Sequence, residues 1–159
     1  MIFIIQSSSD QPTSIVKKPA RCTMSDNFFK WDQERLTTHV DAMDNEHKKL
    51  IEIMNRLYDR YEAKATKPEL QSIVRELASW TITHFDHEEK FFDTLDYSQA
   101  AVHKKIHKDL VERLKGHATE FDKTGVLTPA FFQFLKTWLT AHIMGIDTKY
   151  GVIAAQKSA

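Results

Sequence analysis

Apolar residues recur at spacings of three and four along most of the chain, the period of one face of an α-helix. A first long helix is predicted from Asp41 to about Lys64, with Met43, His47, Leu50, Met54, Leu57 and Tyr61 on one stripe. A second is predicted from Pro68 to about Leu95, its stripe being Leu70, Val74, Leu77, Thr81, His84, Glu88, Phe91 and Leu95. A third covers about Gln99 to Asp122 through His103, His107, Leu110, Leu114, His117 and Phe121. A fourth opens at Thr128-Pro129 and runs through Phe131, Leu135, Trp138 and His142, its pattern fraying at Gly145.

The punctuation agrees with these limits. Thr66-Lys67-Pro68-Glu69 offers an N-cap, a proline in the first turn and an acid near the positive end of the dipole. Ser98 is a candidate cap for the third helix, Gly125 its C′ residue, and Thr128-Pro129 the cap and first residue of the fourth. Thr37, Thr38 or Asp41 is expected to start the first. Residues Phe28 to Leu36 read as an extended arm laying Phe28, Phe29 and Trp31 over one end of the fold. Four long helices with short loops, no strand-like alternation and no internal repeat predict an all-α, antiparallel up-down-up-down four-helix bundle.

The polar residues sit on the apolar stripes, not opposite them, and this changes the picture. An unpaired buried imidazole or carboxylate costs several kcal/mol. One core histidine is ordinarily just hydrogen-bonded. Here His47, His84, Glu88, His103, His107 and His142 come from all four helices. In an antiparallel bundle, His47 and the His103–His107 pair lie early in their helices, while His84, Glu88 and His142 lie late. All six therefore fall near one end, and a cation there removes the desolvation problem. Asp147 joins them on charge, although five residues after His142 is an awkward helical spacing; Gly145 is expected to loosen the helix end and let the carboxylate swing inward. Five imidazoles and two carboxylates exceed what one metal uses. They suit a pair of first-row ions, with iron favoured by the mixed nitrogen and oxygen donors. Structural zinc would prefer four ligands, usually with Cys, and calcium or magnesium would want oxygen.

Composition adds limits. The chain of 159 residues is one domain's worth, and Lys+Arg and Asp+Glu both total 22, which gives no pull towards nucleic acid or an anionic membrane surface. Eight His is a high count, and a single Cys, Cys22, forbids an internal disulfide. No apolar run is long enough to span a bilayer. Met1 to Ile5 is too short for the apolar region of a signal peptide and leads into a Ser-rich, disorder-prone stretch. Residues 1–24 are read as a flexible extension, with Met24 an alternative start, and residues 25–159 as the bundle domain; the expected location is cytoplasmic.

Asp44-x-x-His47, His84-Phe85-x-x-Glu88-Glu89, His103-x-x-x-His107 and Trp138-Leu139-x-x-His142-Ile143-x-x-x-Asp147-x-x-Tyr150 together resemble the hemerythrins, specifically the bacterial single-domain kind, over about residues 28–152. The resemblance implies two Fe ions per chain in an oxo- or hydroxo-bridged, non-haem centre that binds dioxygen reversibly, and no enzymatic activity. His103, His107 and His142 would hold one iron, His47 and His84 the other, with Glu88 and Asp147 bridging. The implied donor count leaves one position open, on the iron with two His, where dioxygen is held as hydroperoxide. The implied role is oxygen storage, transport or delivery, with a protein partner left unidentified. A carrier also needs a dry site without a spare acid, which Leu50, Phe85, Trp138 and Leu139 are placed to wall. His117, about 15 Å along the helix from His107, is read as a non-ligand, and His39, His87 and Glu89 fall off the stripes.

Other readings use the same residues. A ferritin-like di-iron enzyme would show paired Glu-x-x-His motifs, which this chain lacks. A sensor of dioxygen, nitric oxide or redox state, or an iron-handling protein, would keep the site and change its use. A plain structural bundle leaves the polar stripe unexplained.

Overall fold

The computed structural model describes residues 28–157. The proposed extension, residues 1–24, and Met24 lie outside them. Within them the chain is helical with no strand: α1 (Gln33–Leu36), α2 (Asp41–Glu62), α3 (Lys67–Phe92), α4 (Ala100–Thr124), α5 (Pro129–His142), a π-helical turn (Ile143–Asp147) and α6 (Thr148–Lys157). The four long helices α2 to α5 form the bundle. α2 packs closely on α3 and α3 on α4. Its core is continuous from Leu50, Met54 and Leu57 through Val74 and Leu77 to Leu114, Phe121, Phe131, Leu135 and Leu139.

The helix ends follow local chemistry, with two exceptions. The Thr66 backbone N–H donates to Glu69 at 3.0 Å, Gly125 closes α4 at φ +72°, and Thr128 caps α5 by accepting from the Phe131 N–H at 3.3 Å. Ser98 does not cap α4, which begins after Gln99 without a side-chain cap. Nor does a Thr cap α2. Instead the buried Asp44, one turn inside α2, reaches back and accepts from Thr38 N–H and Oγ1 (both 2.8 Å) and from Thr37 Oγ1 (2.6 Å). A carboxylate in the first turn also suits the helix dipole.

The arm departs from its expected course. Asp32 caps a short helical turn, α1, so the segment is not extended throughout. It does not cover one end of the bundle; it runs lengthwise along the groove beside α2 and α5. Phe28 stacks on Tyr58 at 4.8 Å and meets Phe132 edge-on, while Thr38 reaches Asp44 near the opposite end. The cause is Asn55, midway along α2. Its side chain accepts from the Phe29 N–H at 2.9 Å and donates to the Phe29 carbonyl at 2.8 Å, pinning the arm from both sides. Asn55 is nearly inaccessible, so Asn55→Ala leaves two buried backbone groups unpaired. It is expected to cost about 2 kcal/mol of stability, read from the shift of a urea denaturation midpoint at unchanged slope.

Candidate metal centre

All seven sequence-selected residues converge at one end of the bundle, each at most 3% exposed. His47 enters from the start of α2, and His84 and Glu88 from the end of α3. His103 and His107 come from the start of α4, His142 from the end of α5, and Asp147 from the π-turn. Their donor atoms form two overlapping groups: Glu88, His103, His107, His142 and Asp147 in one, His47, His84 and Glu88 in the other. Glu88 belongs to both. Asp147 also spans them, with Oδ2 at 3.3 Å from His47 Nε2 and Oδ1 at 3.2 Å from the Nε2 of both His103 and His142.

The π-turn explains how Asp147 arrives. In a regular α-helix a residue five positions on lies about 140° around the axis from its predecessor. The i→i+5 hydrogen bonding of a π-turn accommodates one extra residue within the turn, which brings His142 and Asp147 onto one face. The helix therefore neither frays nor ends at Gly145; it continues through the π-turn into α6. Gly145 is not the hinge that the sequence suggested. A Cβ built there meets nothing within 4 Å, and its backbone stays out of the left-handed region. Gly145→Ala is accordingly expected to leave metal content unchanged and to add roughly 0.5–1 kcal/mol of stability in thermal denaturation.

A metal fits the chemistry of the donors. His47 Nε2, His84 Nε2, His103 Nε2, Glu88 Oε2 and both oxygens of Asp147 are buried without a hydrogen-bond partner. His107 Nε2 lies 3.0 Å from His142 Nε2 and 3.0 Å from Glu88 Oε2. Neighbouring donors on an octahedron with bonds of about 2.1 Å are about 3.0 Å apart, and the observed spacings cluster there. Orphaned atoms facing one another at that spacing need a cation between them. Burial pushes His142 down to about 4, so this imidazole is neutral at neutral pH, as a ligand must be. Burial also raises Asp147, but the surrounding imidazoles, His142 first, hold it well below the usual carboxylate range.

Around this set lies a layer that the helical stripes did not reveal. His84 Nδ1 donates to Glu46 Oε2 at 2.9 Å, and His87 Nδ1 to Glu46 Oε1 at 2.7 Å. His107 Nδ1 donates to Glu89 Oε1 at 2.9 Å. A carboxylate on the far nitrogen turns the near one towards the centre and raises its basicity. His87 and Glu89, off the stripes as expected, thus still serve the site from outside. Burial pushes Glu46 up, but hydrogen bonds from its two imidazoles outweigh this and hold it below the carboxylate range. Tyr150 Oη donates to Glu88 Oε1 at 2.5 Å, and burial together with the Glu88 charge keeps the phenol protonated. His103 lies against the rings of Phe92, Tyr97 and Tyr150, and Phe85 stacks on His107 at 3.7 Å. Leu50, Phe85, Trp138 and Leu139 are all buried, and Phe85 lies against the rings of His84, His107 and His142. His117 sits apart between Phe131 and Phe134.

Pairing each outer carboxylate with its histidine from sequence would have required knowing which helices are neighbours: Glu46 precedes His47 yet serves His84 across the α2–α3 interface. Glu89 and Tyr150 stand inside motifs that the sequence displays, but only the fold gives them partners.

Comparison with known proteins agrees with the geometry. The family model of the hemerythrin HHE cation binding domain matches residues 38–153. A bacteriohemerythrin of Pseudomonas aeruginosa is 29% identical over 118 residues, 74% of this chain and 76% of that protein. A hemerythrin-like protein of Naegleria gruberi is 32% identical over 122 residues, 77% of this chain and 90% of its own. A wild-type hemerythrin crystal structure superposes with a TM-score of 0.71 at 26% identity, covering 77% of this chain and 95% of the other. With its buried cluster of metal-ligating residues at one end of a four-helix bundle, the chain belongs to the hemerythrin family.

Proposed function

We propose that the protein binds dioxygen reversibly at a non-haem di-iron centre. His103, His107 and His142 would hold one iron, His47 and His84 the other, and Glu88 and Asp147 would bridge them. The observation that carries the reading is the overlap of the two donor groups at Glu88, with Asp147 in reach of His47 on one side and of His103 and His142 on the other. One shared pair of carboxylates between a three-imidazole and a two-imidazole set suits two metal ions with unequal ligand sets. Such a centre supplies a pair of electrons that it lends to dioxygen and recovers on release.

The chain's own residues make that exchange reversible. Leu50, Phe85, Trp138 and Leu139 exclude water from the donors. Glu46 and Glu89 fix the orientation of His84 and His107, so the ligand cage need not reorganise between states. Tyr150 holds Glu88 at the oxygen facing away from His107. No helix among the described residues is long and apolar enough to cross a membrane. The most direct test is to count iron per chain and to cycle the protein between anaerobic reduction and air. Two irons per chain, with ligand-to-metal charge-transfer bands that appear in air and vanish when dioxygen is removed, are expected. One iron per chain at saturation, or continuous consumption of dioxygen without a stable oxygenated form, would sink the reading.

A further inference from the structure

On the flank of the bundle α4 and α5 pack less closely than α2 on α3 or α3 on α4, and an open groove of about 540 Å³ runs between them. That volume falls within the range of about 300–1,000 Å³ typical of small-molecule sites. One wall is Ile106 and Leu110 of α4; the floor is Phe134 and Trp138 of α5; Ile146 of the π-turn closes one end. None of these carries a charge. The charged residue of the lining is Arg113, at the other end, with its guanidinium carbon 4.7 Å from the centre of the Phe134 ring. Arg113 makes no ion pair among the described residues; Lys108 and Lys123 of the same helix also make none, but only Arg113 of the three lines the groove.

An apolar trough ending in one unpaired guanidinium is complementary to a particular chemistry. From the groove we infer a binding site for a free aliphatic carboxylate of medium chain length, its carboxylate on Arg113 and its tail along Leu110, Trp138 and Ile106 towards Ile146. The helix rise sets the size: Ile106 to Arg113 spans roughly 10 Å along α4. The planar guanidinium is suited to take a carboxylate through two parallel hydrogen bonds, and the Phe134 face beneath pre-positions it. His142 also borders the groove, so the tail would lie against the outer side of the metal centre. The assignment does not depend on what the centre binds.

Decanoate titrated into the purified protein, with its metal content measured, tests the assignment by calorimetry. Saturable binding of one equivalent is expected, with decanol at least tenfold weaker. Arg113→Gln should weaken decanoate tenfold or more and leave decanol unchanged. Thr137→Trp, at an exposed position of the lining, should block both while leaving metal content as in wild type. Absence of saturable decanoate binding, equal affinity for decanol, or an unaltered Arg113→Gln variant overturns the proposal. Two further results would also overturn it by giving the groove another occupant. One is Arg113-dependent retention on phosphatidylglycerol vesicles without binding of the free acid. The other is a dimer in sedimentation that Thr137→Trp abolishes.

Discussion

Asp147→Asn is expected to strip most of the metal from the protein while leaving the bundle folded. The amide keeps the shape of the carboxylate but neither its charge nor its capacity to bind through both oxygens, and Asp147 faces three imidazoles from both donor groups at 3.2–3.3 Å. Metal that binds only the folded chain stabilises it by mass action, by about 4 kcal/mol when free metal exceeds its Kd a thousandfold. For a domain of this size that corresponds to roughly 10 °C in Tm. Wild type should therefore gain this increment when metal is restored after chelation, and Asp147→Asn should gain little of it. The two measurements are metal per chain after dialysis and Tm with and without metal. A variant retaining wild-type stoichiometry and the wild-type increment would remove Asp147 from the ligand set.

The largest stability effect in the metal-free protein is expected at Gly151, the residue directly after Tyr150. A Cβ added there would lie 1.9 Å from the Thr38 carbonyl oxygen and 3.0 Å from its carbon. Both are backbone atoms, so no side chain can swing aside. Either α6 or the segment before α2 must move. That segment is held by Asp44, and α6 carries Tyr150, whose hydroxyl bonds Glu88. Gly151→Ala is expected to cost about 3 kcal/mol, at the upper end of ordinary overpacking. It should also weaken metal retention by separating Tyr150 from Glu88. Chemical denaturation of the chelated protein isolates the first effect, and metal per chain the second. An unchanged denaturation midpoint would show that the close approach has slack.

The helices and their inward faces were legible because each stripe alternates with charged surface at a single period. The candidate ligands were legible for a related reason. They break the rule that stripe positions are apolar, and they break it at one height in every helix. What remained hidden depends on contacts between segments distant in sequence. Glu46 looks like one more charged helix residue until α3 lies beside it. Asn55 looks like a weak helix former until the arm returns to it. Gly151 looks like a dispensable glycine until Thr38 is on its far side. The position of Asp147 was hidden differently: a search at a period of 3.6 places it on the wrong face, and only a change of helix type brings it back.

That change of type makes the segment between His142 and Asp147 tolerant in one respect and strict in another. Its exposed members Met144 and Gly145 can vary in chemistry without touching the donors. Its length behaves asymmetrically. Removing one residue would convert the π-turn into an ordinary α-turn, with Asp147 four positions from His142 and still on the inward face. Adding one would carry Asp147, Tyr150 and Gly151 together about 100° around the axis, away from the centre and from Thr38. Among natural variants of this chain, shortening here is therefore compatible with an intact centre, and lengthening is not.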